Sequence, residues 1–222
     1  LVLFNLGGPD SQEAVQPFLF NLFSDPAIMR LPGALRRPLA TLISRRRAPV
    51  ARRIYREIGG GSPLLPQTLE QAKALERRLT LRGIEVRVFV CMRYWHPMSD
   101  AVAVEVARFA PDRVVLLPLY PQYSTTTTAS SLDDWQRAAT GAGLKAPSVA
   151  VCCYPTQPGF VAAVARRLRN ELERADFPTG FRILFSAHGL PERIVTGGDP
   201  YQWQGARTRA AGGPVSRQIK VL

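Results

Sequence analysis

His188 closes the run Phe181-Arg182-Ile183-Leu184-Phe185-Ser186-Ala187-His188-Gly189-Leu190-Pro191, and of the two histidines in the chain it is the one set up for chemistry. The residues before it predict a strand over 183–186, so the imidazole emerges at a strand's carboxyl end, the edge where open α/β sheets bind ligands. There it can bind a divalent metal or accept a proton near neutral pH. A satisfied loop histidine is the plainer alternative. Ser186 lacks the nucleophile-elbow pattern and the chain has no HExxH segment, so neither Ser-His hydrolysis nor a zinc protease follows. His96, beside Pro97, reads as structural or hydrogen-bonding.

Two glycine-rich loops could admit a flat or anionic ligand. Asn5-Leu6-Gly7-Gly8-Pro9-Asp10 follows the first strand but is not GxGxxG, and Gly59-Gly60-Gly61-Ser62-Pro63 lacks the GK[ST] ending of a phosphate loop. Upstream of the second loop, Tyr55 and Arg47 offer one aromatic contact and one carboxylate partner. A flexible turn explains the same glycines. Cys91-Met92-Arg93-Tyr94-Trp95-His96-Pro97 brings Arg93 and Tyr94 to the sheet's carboxyl edge, an apolar wall with a guanidinium suited to a large aromatic acid. Tyr120-Pro121-Gln122-Tyr123-Ser124 reaches the same kind of edge, with Tyr123 open to a binding or a structural role. Ser130 or Ser131, before Asp133 and Asp134, reads as a helix cap.

The elements that position these residues form a βα alternation. Strand-like runs at 1–6, 86–90, 114–119, 149–153 and 183–186 are separated by helical patterns at 69–79, 101–109 and 160–172, which predicts parallel sheets flanked by helices. Gly141, Gly143 and Pro147 interrupt the periodicity and place a domain boundary between residues 146 and 147, giving domains 1–146 and 147–222. From Gly205 the chain turns small, basic and aperiodic, so the second domain reads as incomplete. The start at Leu1, inside a strand and without Met, reads as a chain whose first residues are missing.

Composition narrows the classes. With 46% hydrophobic residues a sizeable core is available, and no stretch of 18 uncharged apolar residues exists to make a spanning helix. The three cysteines show no CxxC spacing, which removes the argument for a zinc knuckle or an iron–sulfur cluster. A net charge of +12 suits polyanions, an anionic membrane or a carboxylated substrate, and does not choose among them. Much of that charge lies in 28–56, where arginines alternate with Leu31, Leu35, Leu39 and Leu42. Pro32 and Pro38 predict short broken pieces, which argues against a long nucleic-acid recognition helix. A solvated face with snorkelling arginines, a membrane-facing lip and a nucleic-acid surface all stay open.

Together, Leu3-Phe4-Asn5-Leu6-Gly7-Gly8-Pro9, Arg46-Arg47-Ala48-Pro49, Tyr55-Arg56-Glu57-Ile58-Gly59-Gly60-Gly61-Ser62-Pro63, Met92-Arg93-Tyr94, Tyr120-Pro121-Gln122-Tyr123-Ser124, the His188 segment and Gly198-Asp199-Pro200-Tyr201 resemble the ferrochelatases. These enzymes insert ferrous iron into a porphyrin at the end of haem synthesis. The resemblance runs from Leu1 to about Gln204 and implies a chelatase-like α/β fold of two Rossmann-like domains, with the porphyrin in the cleft between them. It implies that His188 is the metal ligand or acceptor of pyrrole protons, that Arg47, Tyr55 and Ser62 contact the porphyrin with Arg47 on a propionate, and that Arg93, Tyr94 and Tyr123 line the cleft. Fe²⁺ and protoporphyrin IX are then substrates, with no tightly bound cofactor. The family's acidic partner in a HxxTLxE-like segment does not occur here, and Glu192 has the wrong context to replace it. Gln157 stands where eukaryotic members carry another histidine and Thr125 where they carry the first cluster cysteine, which argues against such a cluster. The segment around 28–42 resembles the lip that admits a membrane-soluble porphyrin, and the resemblance implies a cytoplasmic, monomeric protein in peripheral contact with an anionic membrane, with no nucleic-acid partner. A porphyrin-binding chain without turnover is the alternative, and a basic nucleic-acid module the remaining one.

Overall fold

The computed structural model describes residues 1–174 and 183–212. Its centre is β1 (Val2–Asn5), which pairs in parallel with β2 (Phe89–Met92) on one side and β3 (Val114–Pro118) on the other; β4 (Ser148–Ala150) extends the sheet to the order β2-β1-β3-β4. Phe4 sits opposite both Cys91 and Pro118. A strand flanked and covered on both faces must be apolar throughout, and Val2, Leu3 and Phe4 are all buried.

Side-chain alternation divides β1 between two cores. Val2 and Phe4 face α4 (Ser99–Phe109) and α5 (Ser130–Gly141), packing with Val102, Val106 and Trp135. The Phe4 and Trp135 rings meet edge to face at 5.7 Å, a geometry that adds about 0.5–1.5 kcal/mol to the burial itself. Leu3 faces the other way, toward Ala72, Leu65 and Leu75 of α3 (Leu64–Thr80). A third cluster joins α1 (Val15–Ser24) to α2 (Gly33–Glu57) through Val15, Phe18, Leu19, Ala48 and Tyr94.

The parallel sheet flanked by helices is as the sequence predicts, and several details differ. α2 is one helix of 25 residues with Pro38 and Pro49 inside it, not a set of short pieces. Both prolines lie on the exposed side, where water can satisfy the carbonyls they leave unbonded, while Ala40, Ser44 and Ala48 form the buried stripe. β4 belongs to the first sheet, and the first compact unit comprises Leu1–Tyr120 and Thr125–Cys152, so the chain divides after Cys152 rather than after Ala146. Gly143, at φ +69°, ends α5 instead of a domain.

The second unit comprises Pro121–Ser124 and the described residues from Cys153 onward, with α6 (Pro158–Arg174), α7 (Glu192–Thr196) and α8 (Tyr201–Ala211). α8 runs through Gly205, where the sequence reading ended regular structure; Ala, Gln and Arg sustain a helix without an apolar stripe. The predicted strand over 183–186 does not form, and Leu184 and Phe185 are exposed. Strand propensity is expressed only against pairing neighbours, and none of the described residues pairs with this stretch. Phe181 and Arg182 lie outside the described residues.

Candidate functional site

At the carboxyl end of β1 the two glycine loops are strapped together. The Ser62 amide donates to the Pro9 carbonyl at 2.7 Å, the Gln12 side-chain amide donates to the Gly60 carbonyl at 2.7 Å, and Arg52 Nε donates to the Gln12 carbonyl at 3.0 Å. A Cβ on Gly8 would come within 2.5 Å of Ser62 Oγ. Gly8 therefore lets the loops approach each other, whereas Gly59 and Gly60, at φ +103° and +93°, would carry a Cβ into open space.

Arg47, Tyr55 and Ser62 follow one another along α2 and the loop behind it. Arg47 is exposed, with its guanidinium carbon 5.7 Å from the Phe23 ring centroid and no acidic partner among the described residues. Tyr55 is half-buried against the α1–α2 cluster, and burial raises its hydroxyl pKa. Ser62 is half-buried and its Oγ accepts the Leu64 amide at 3.3 Å, at the start of α3.

Arg93 and Tyr94 are held inside the protein by Asp25, a residue that no motif in the sequence marks. Arg93 Nη2 and the Tyr94 hydroxyl donate to Asp25 Oδ2 at 2.9 and 2.8 Å, and the Ser130 hydroxyl donates to the same oxygen. Arg93 Nε also donates to Ser130 Oγ at 2.8 Å. Burial drives the Tyr94 hydroxyl pKa up, and the Asp25 carboxylate adds to the rise. Ser130 and Ser131 are consequently not helix caps: Ser130 serves Asp25 and Arg93, and Ser131 lies 3.3 Å from the buried Tyr120 hydroxyl. The ion-pair chain continues from Arg93 through Asp134 to Arg137 and Asp100, along an open cavity of about 600 Å³.

In the second unit, Tyr123 is half-buried and its amide donates to Gln204 Oε1 at 2.7 Å. His188 is exposed and is anchored through its backbone, whose amide donates to the Tyr201 hydroxyl at 3.3 Å. Asp199 fixes that partner: Oδ1 accepts the Tyr201 amide at 3.0 Å and Oδ2 accepts the Ser124 hydroxyl at 2.9 Å. His96 is exposed with its ring edge-on to Trp95 at 5.1 Å. Among the described residues no group of three or more His, Cys, Asp or Glu side chains is arranged to hold a metal ion.

Asp25 escaped the sequence reading because Ser24-Asp25-Pro26 looks like an ordinary turn and its partner Arg93 is 68 residues away. Asp199 stood inside a quoted motif without a role; the buried Asp199–Ser124 pair supplies one.

Comparison with known proteins shows the family. The sequence profile described as ferrochelatase matches residues 1–212, eight beyond the reach of the resemblance read from motifs, which ended near Gln204. The chain is 56% identical over 213 residues to the ferrochelatase of Caulobacter vibrioides strain NA1000, covering 95% of this chain and 60% of that protein. It is 56% identical over 213 residues to the ferrochelatase of Phenylobacterium zucineum, at 95% and 61% coverage, and 48% identical over 206 residues to that of Pelagibacter ubique, at 92% and 59%. The chain thus spans about three fifths of the length of these curated relatives. Since the match spans both glycine loops, the Arg93–Tyr94 segment and the histidine loop alike, this chain belongs to the ferrochelatase family.

Proposed function

We propose that the full-length protein inserts Fe²⁺ into protoporphyrin IX to form protohaem, the last step of haem synthesis. The observation that carries this reading is Arg47: an exposed guanidinium, free of an acidic partner among the described residues, stands beside the apolar Phe23. A charged end on an apolar wall suits a flat, amphiphilic acid. Arg47 pairs with a propionate, Tyr55, Ser62 and Tyr123 contact the macrocycle, and Arg93 and Tyr94 shape the wall behind it. His188 accepts a pyrrole proton or guides the metal. Two N–H protons leave as the divalent ion enters, so the macrocycle's net charge is unchanged and no uncompensated charge accumulates in an apolar site.

Peripheral contact with an anionic membrane on the cytoplasmic side belongs to the same reading. α2 exposes Leu35, Leu39 and Leu42 beside Arg45 and Arg46, a basic amphipathic surface of the kind that lies on anionic lipid. No helix among the described residues is long and apolar enough to cross a membrane.

Anaerobic incubation of the full-length protein with Fe²⁺ and protoporphyrin IX tests the reaction: porphyrin fluorescence should fall as haem absorption appears, and a protein that binds porphyrin without forming haem would refute it. For the 222-residue chain taken alone we carry a second reading, porphyrin binding without insertion, favoured by its coverage of only 60% of the Caulobacter relative. The same assay separates the two, by fluorescence quenching without haem formation.

A further inference from the structure

We propose that Asp25 is a positioning residue for porphyrin binding, holding Arg93 and Tyr94 at the carboxyl end of β2 as one charge-balanced unit. The inference rests on the porphyrin reading above and deepens it. Asp25 is 4% exposed, at the end of α1, and a buried carboxylate persists only when paired and fully hydrogen-bonded. Its two oxygens meet that demand. Oδ2 accepts from Arg93 at 2.9 Å, from the Tyr94 hydroxyl at 2.8 Å and from the Ser130 hydroxyl, while Oδ1 accepts the Ala27 amide at 2.8 Å. One side chain thereby ties the end of α1 to the loop after β2 and to the first turn of α5.

The consequence falls on Arg93. Nη2 is on Asp25, Nε is on Ser130 at 2.8 Å and Nη1 lies 3.7 Å from Asp134, so each guanidinium nitrogen is engaged inside the protein. Its central carbon lies 5.0 Å from the centroid of the Tyr94 ring, which the same carboxylate holds by its hydroxyl. Arg93 therefore contributes shape rather than a free positive charge, and propionate recognition is left to Arg47. Neutralising Asp25 releases the guanidinium and the phenol together. The cavity of about 600 Å³ lined by Asp25, Arg93, Arg36 and Arg37 gives the released arginine room to leave its place.

The test is a double-mutant cycle in the full-length protein, read by porphyrin KM and kcat separately and by the thermal midpoint. D25N is expected to raise the porphyrin KM about tenfold while kcat changes by less than about threefold, the pattern of lost binding rather than lost chemistry. R93Q should do the same, and D25N/R93Q should be no worse than the poorer single variant, because both act through one contact. An unchanged KM in D25N, or effects that multiply in the double variant, would overturn the proposal. If D25N does not fold, S130A removes one donor from the same oxygen and is cycled against R93Q with the same two outcomes. Wild-type protein that forms no haem defeats the porphyrin reading itself, a result distinct from an active wild type whose Asp25 variant behaves normally.

Discussion

Gly61 and Asp10 meet backbone to backbone: a Cβ placed on Gly61 would lie 2.6 Å from the Asp10 carbonyl oxygen and 2.8 Å from its carbonyl carbon. Neither atom belongs to a side chain that could swing away. The contact joins the loop after β1 to the loop after α2, and the adjacent Ser62 amide completes the joint on the Pro9 carbonyl. It is what makes two glycine loops, far apart in sequence, into one surface.

G61A should therefore destabilise the protein by about 1–3 kcal/mol, the usual cost of forcing extra volume into a packed site. G59A is penalised differently, since its Cβ meets nothing but its φ of +103° suits only glycine; it should cost about 1–2 kcal/mol. Chemical denaturation of both variants checks the pair. A G61A protein as stable as the wild type would mean that the loops are not held as described.

R47Q should raise the porphyrin KM about tenfold and leave the thermal midpoint unmoved. The side chain is exposed and lies over the Phe23 ring, so little folding energy depends on it. R47K should retain part of the affinity, as a point charge without the bidentate fork. Equal KM values for all three proteins, measured by initial rates of haem formation, would remove Arg47 from propionate recognition.

What the sequence revealed and what it hid follow from the range of the interactions. β1 and β3 were legible because buried parallel strands are apolar throughout, and α3, α4 and α6 because their periodicity is local, whereas the run read as a strand over 86–90 pairs only from Phe89 and continues to Met92. The continuity of α2 was hidden: proline rules describe the backbone bond that is lost, not the solvent that replaces it around Pro38 and Pro49. β4 was assigned to the wrong domain because its partner, β3, lies across the whole of α5. Arg93 and Tyr94 stand out in the sequence as an arginine and an aromatic after a strand, yet their hydrogen-bond partner Asp25 does not, since nothing local to Ser24-Asp25-Pro26 marks it.

Arg137 illustrates a pair that geometry flatters. It donates to both Asp100 oxygens at 2.7 and 3.0 Å, and these bonds hold the Asp100 carboxyl below the usual carboxylate range, against an opposing effect of burial. The lowered folded-state pKa means that the contribution is fully present above the unfolded value of about 4 and is lost as the pH falls through the lowered one. With side chains 58% and 70% exposed, the pair is screened and contributes under about 1 kcal/mol. R137Q should thus destabilise slightly at pH 7 in low salt, with the difference fading in acid and in about 1 M salt. A loss that survives both conditions would point to packing instead.

The cysteines should separate by reactivity. Burial pushes the Cys91 thiol up to about 12, only partly offset by its 3.4 Å contact with the Ser99 hydroxyl. At pH 8 it carries almost no thiolate, while Cys152 is exposed. Mass spectrometry after iodoacetamide treatment of the folded protein should find Cys152 modified and Cys91 untouched until denaturant is added. Equal labelling of both in the native state would contradict the burial of β2.

His188 offers the sharpest separation of chemistry from folding. Its backbone amide is fixed by the Tyr201 hydroxyl, while the imidazole is exposed and makes no side-chain hydrogen bond among the described residues. Removing the ring should therefore cost almost no stability, so any loss of turnover in H188A reports on the reaction. Loss of a general base typically slows a step about 10²- to 10⁴-fold, and the full-length H188A protein should fall in that range while its porphyrin affinity stays within about threefold of the wild type. Y201F keeps the imidazole but removes the acceptor of the His188 amide. It should lower kcat by about tenfold at most, because the loop loses one of its anchors and not its base. Normal turnover by H188A would assign the pyrrole proton to another group.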